Sequence, residues 1–129
     1  MMTISLETLP ADRLACLLRD AAEGMCADMA AVGLIARRGH FLHDPAFRRI
    51  IAAGSSITTG QPLAVIRWNA AIHALESGRL PCSSSEQAIL RIAASLAEPS
   101  IAVRLRDNLG SLDRHNITLV TDAITAANG

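Results

Sequence analysis

The chain has no lysine and no tyrosine among its 129 residues. Twelve arginines supply its permanent positive charge. Without lysine there is no Schiff base, no P-loop lysine and no target for lysine modification, which removes several reaction classes. Aromatic side chains are nearly absent: Phe41, Phe47 and Trp68 are the whole set. Hydrophobic residues still make up 50% of the chain, so the core has to come from Ala, Leu, Ile and Val. Alanine-rich faces let helices approach closely, which suits a helical bundle. Cysteine is scarce and odd in number, with Cys16, Cys26 and Cys82 at no ligand-like spacing. These read as free thiols in the reducing cytoplasm. No run approaches the roughly 18 apolar residues of a membrane span. Residues 1–9 carry acid rather than base and lack a long apolar run, so no signal peptide is expected.

The net charge is zero but unevenly spread. Residues 1–36 hold five acids against two arginines, a net of −3. Residues 37–49 hold four arginines against Asp44, a net of +3, and the remainder balances. A field this local steers no polyanion over long range. The length predicts one domain over residues 1–129, large enough to hold a core without metal or disulfide staples.

Helical punctuation is clear. Leu14, Leu17, Leu18, Ala21, Ala22 and Met25 keep a helical stripe, which continues through Met29, Val32 and Ile35. A glycine inside a helix costs only about 1 kcal/mol. One long helix through Gly24 is therefore favoured, ending at Arg37-Arg38-Gly39. Asp44-Pro45 opens another helix, expected to run through Phe47, Ile50 and Ile51 to Gly54. Residues 55–62 read as loop. Residues 64–68 are either helical, with Val65, Trp68, Ile72 and Leu75 on one stripe, or extended, with Asn69 capping a shorter helix. Ser83 and Glu86, directly before Ile89, Leu90, Ile92 and Ala93, form a capping box for a helix over residues 84–97. A short helix follows, closed by Gly110. The last helix starts at Asp113, with Leu119, Val120, Ala123 and Ile124 on its buried face. No strand pair is visible. The expected fold is all-α: a compact bundle of five to six helices with a long N-terminal helix and a three-helix C-terminal half.

Candidate chemistry is thin. His40, His43 and Asp44 have metal-like spacing, but His73 and His115 are remote and Asp44 is better used as a cap, so no metal is expected. Cys82 stands just before a helix N-terminus with C-x-x-S spacing, yet lacks the βαβ context of thiol redox enzymes. Arg37, Arg38, Arg48 and Arg49 form the one basic cluster, a candidate anion or partner contact. Residues 84–127 outline a helix-turn-helix whose Arg114, His115, Asn116 and Thr118 would face DNA, although Asp113 and Asp122 share that helix. No nucleophile elbow, zinc-protease motif or glycine-rich phosphate loop appears, so no catalytic residue and no cofactor is nominated. Trp68, the only tryptophan, reads as core rather than as an exposed anchor.

Leu80-Pro81-Cys82-Ser83-Ser84-Ser85-Glu86, then residues 90–96, Leu105-Arg106-Asp107-Asn108-Leu109 and Leu112-Asp113-Arg114 share one pattern with Ile66-Arg67-Trp68 and Ala70-Ala71-Ile72. This second half of the chain resembles small hypothetical proteins of actinobacteria. The resemblance carries no function with it. The residues point to a non-enzymatic helical interaction or adaptor domain, homodimeric through the N-terminal helix, with no membrane association. The alternative is a helix-turn-helix-like DNA-associated regulator using residues 84–127.

Overall fold

The computed structural model describes residues 6–129, so the expectation for residues 1–9 lies partly outside the described residues. The protein is mostly helical, but not all-α: among the described residues eight helices accompany a two-stranded antiparallel sheet. The expected long N-terminal helix is two helices, α1 (Ala11–Ala22) and α2 (Cys26–Arg38). Gly24 adopts φ +89° between them, a left-handed conformation that no helix continues through. Propensity alone understated this glycine. A straight helix over residues 11–38 would be roughly 40 Å long, longer than a domain of this size is wide. Breaking at Gly24 lets both halves of the stripe face one core. Leu14, Leu17 and Leu18 are buried from α1, and Ala31, Leu34 and Ile35 from α2. Most of the stripe is buried within the chain, while Met25 and Met29 remain about half exposed.

The end of α2 follows the sequence: Arg37 and Arg38 lie in its last turn and Gly39 turns left-handed at φ +83°. Two single-turn helices follow, α3 (His40–His43) and α4 (Pro45–Arg48). The Asp44 carboxylate accepts from the Ala46 N–H at 3.1 Å, so the Asp-Pro start is as expected. Phe41 and Phe47, both fully buried, stack at a tilt with ring centroids 5.1 Å apart.

The helix after Asp44 does not reach Gly54. It stops at Arg48, and strand β1 (Ile51–Ser55) pairs with strand β2 (Pro62–Ile66), Ile51 facing Ile66 and Ser55 facing Pro62. The hairpin turn explains the change. Ser56 accepts at its carbonyl from the Gly60 N–H and at its hydroxyl from the Thr59 N–H. Gly60 takes φ +71°, which returns the chain for pairing. The bonds Arg67 N–H to Ile50 O and Ser56 N–H to Gln61 O fix the parity of the ladder. Ala52 and Gly54 therefore bond inward, toward Val65 and Leu63. Ile51, Ala53 and Ser55 turn their N–H and C=O groups to the outer edge of β1. Pro62 faces the outer edge of β2, where its missing N–H costs the ladder nothing.

The ambiguous segment is extended through Ile66, and α5 (Trp68–Glu76) starts after Arg67, so Asn69 lies inside the helix and does not cap it. The C-terminal half has the three expected helices, α6 (Ser84–Ala97), α7 (Leu105–Leu109) and α8 (Arg114–Asn128). The capping box at α6 is complete: Glu86 N–H donates to Ser83 Oγ at 3.2 Å, and Ser83 N–H donates to Glu86 Oε1 at 2.8 Å. Asp113 caps α8 by accepting from the Asn116 N–H at 2.8 Å. Leu119, Val120 and Ala123 are buried, whereas Ile124 is exposed. Helix α2 lies at the centre, with α8, α6 and α1 packed around it, and α1 also covers β2.

Candidate functional site

The structure offers two candidate places. The first is a polar cluster where the N-terminus of α6 meets the end of α2. One Glu86 carboxylate oxygen holds the cap; the other lies 3.3 Å from Arg38 Nη2 and 3.2 Å from His40 Nδ1. Burial pushes the Glu86 carboxyl up, but bonds from the Ser83 N–H and hydroxyl, with His40 and Arg38 beside it, leave it below its ordinary value. His40 Nε2 sits 3.8 Å from Asp44 Oδ2, so the histidine lies between two carboxylates. His43 is exposed. Among the described residues, no three His, Cys, Asp or Glu side chains group as metal ligands would. Cys82 lies at the edge of the cluster. Burial first, then the charges of Glu86 and Asp44, push its thiol up. That is opposite to the shift that makes a cysteine nucleophilic.

The basic cluster is dispersed by the fold. Arg37 pairs with Asp122 of α8 at 3.0 Å, on the surface. Arg38 serves Glu86. Arg48 is buried and forms no ion pair among the described residues: its Nε donates to the Leu42 carbonyl at 2.6 Å, and its Nη1 to those of Leu9 at 2.7 Å and Leu6 at 3.0 Å. Of these four, Arg49 alone is exposed without a side-chain partner among the described residues. The four arginines do not converge. Nothing in the sequence announced the role of Arg48, because its acceptors are main-chain carbonyls, one six residues away and the others about forty. Of the candidate DNA contacts, Arg114, His115 and Thr118 are exposed on the first turns of α8, while Asn116 is buried at 4% exposure. α7 buries none of its residues, so it adds no core to a helix-turn-helix.

The second place was not foreseen. A groove of about 390 Å³ opens between the end of α1, the start of α2, β2, the start of α5 and the end of α6. Its walls include Leu18, Val32, Val65 and Trp68, with Met25 at one side. Met25 and Val65 are about half exposed, and Trp68 is half-buried against the core rather than inside it. Three charged side chains line the groove, and two are already engaged. Arg67 donates from Nε and Nη2 to the carbonyls of Ile50 and Arg49, each at 3.0 Å. Glu98 accepts from the Ser100 N–H and hydroxyl. Asp28, in the first turn of α2, has neither hydrogen bond nor ion pair among the described residues. The groove is therefore more apolar than polar, and of its three charged groups Asp28 alone has no hydrogen-bond partner among the described residues. Its size and lining fall in the range of small binding sites. Periodicity could not reveal it, since its walls come from five elements spread from Leu18 to Glu98.

No protein-family model, no curated protein and no solved structure matches this chain.

Proposed function

We propose that this chain is a non-enzymatic interaction module, homodimeric and cytoplasmic, that seats an apolar partner segment carrying a basic group in the Trp68 groove. The observation that carries this reading is the unpaired Asp28 carboxylate beside an open apolar wall. An apolar segment covers Val65, Met25 and Trp68, and a cationic or donor group on it meets Asp28. Tryptophan is the side chain most enriched at binding hot spots, and methionine adapts to varied partners. The non-enzymatic reading is supported by the polar cluster: its thiol is pushed above the ordinary value, and its glutamate is committed to a helix cap, Arg38 and His40. Cytoplasmic placement is supported by three free cysteines, two of them exposed. No helix among the described residues is long and apolar enough to cross a membrane. The DNA-associated alternative has less support, because Asn116 is buried and Arg37 is neutralised by Asp122.

Selection of a displayed random-peptide library on the immobilised protein tests the groove. Peptides combining apolar residues with Arg or Lys should be enriched and should shift the emission of Trp68. Asp28→Asn should weaken them about tenfold. Absence of enrichment, or enriched peptides that leave Trp68 emission unchanged, would overturn the proposal.

A further inference from the structure

We infer that the outer edge of β1 is the surface through which two copies of this chain associate, joining their hairpins into one four-stranded antiparallel sheet. The inference rests on the homodimeric reading above and supplies its interface. The ladder to β2 leaves Ile51, Ala53 and Ser55 with N–H and C=O groups directed outward. Among the described residues, none of these outward groups has a hydrogen-bond partner, and no helix packs extensively on β1. Ala53, Gly54 and Ser55 are exposed. The two edges of this sheet differ. β2 is covered by α1 and blunted by Pro62, whereas β1 carries no lysine, proline or inward charge, the devices that keep an edge from pairing.

The occupant follows from the register. A two-fold axis at Ala53 sets Ala53 against its own copy and Ile51 against Ser55 of the other chain. In that register every outward N–H meets an outward C=O, so the three residues satisfy one another without a bulge. Ala52 then faces Gly54 on the opposite sheet face, and neither side chain obstructs approach to the roughly 4.8 Å of paired strands. A two-stranded sheet is marginal alone, and doubling it supplies the strands it lacks.

Sedimentation velocity on the full chain tests this. Wild type should be a dimer at tens of micromolar. Ala53→Pro removes the N–H nearest the axis and leaves the β1–β2 ladder intact, because that N–H points outward. It should weaken association by about a hundredfold. Ala53→Lys sets like charges opposite each other and should give a monomer, as should A53E, while an equimolar mixture of the two should restore the dimer. Thermal melting identifies any variant that fails to fold, and the Lys and Glu pair decides the matter if the proline variant does. A monomeric wild type overturns both this interface and the homodimeric reading. A dimer indifferent to Ala53→Lys overturns the interface alone. Neither result bears on peptide binding in the groove.

Discussion

Arg48 offers the sharpest test of how this fold is held together. It is 8% exposed, and it forms no ion pair among the described residues. Instead its guanidinium gathers carbonyls from residues 6–9 and from Leu42, tying the segment before α1 to the α3–α4 corner. Replacement by methionine keeps most of the apolar stem and deletes the donors. The Leu42 carbonyl, bonded at 2.6 Å in a buried site, is then left unpaired, at a cost of about 1–3 kcal/mol. The carbonyls of Leu6 and Leu9 can turn to water, so losing them costs less, about 1 kcal/mol in all. Removing a buried charge returns part of this as relieved desolvation. The balance is a loss of about 1–3 kcal/mol, and for a chain of this length that lowers Tm by about 4–11 °C. Urea unfolding of Arg48→Met gives the magnitude. Amide exchange should show residues 6–9 losing protection before the core does. A change below about 1 kcal/mol with protection intact at residues 6–9 would refute the assignment of Arg48 as an internal tie.

Two further expectations concern the α6 cap and the groove. The Glu86 carboxyl lies below its ordinary value in the folded state, so the unfolded chain takes up its proton first as pH falls. The stability it contributes is present above the ordinary carboxyl range and is lost as pH drops through the depressed folded value. Glu86→Gln should therefore lower stability at pH 7 and flatten the acid limb between about pH 5 and 3; urea midpoints that fall with acid as steeply as in wild type would contradict this. Trp68→Ala should cost about 2 kcal/mol, less than the loss for a fully buried tryptophan, because the ring lines a groove. Native emission should lie between buried and exposed limits and move red in urea, and a fully red native emission would place the ring in solvent.

Short-range features were legible in the residues. The Ser83–Glu86 capping box, the Asp44-Pro45 start, the Asp113 cap and the Gly39 stop all stand where residue type and spacing put them. Each is decided by atoms within about four residues along the chain, so one stretch of sequence contains the whole interaction. The break at Gly24, the hairpin and the fates of the arginines were decided elsewhere. Gly24 turns because two apolar stripes must face one core, a demand that a helix propensity of about 1 kcal/mol does not register. Ile50 and Ile51 leave the helix because Ile51 pairs with Ile66, fifteen positions on. Small residues such as Ala52, Ala53 and Gly54 gave too weak an alternation to announce a strand. Arg37, Arg38 and Arg48 look alike in the sequence, yet one meets Asp122, one Glu86 and one the main chain of residues 6–9. A side chain's local sequence sets what it can bond to. Which partner it finds depends on how distant segments are packed, and only the tertiary structure contains that.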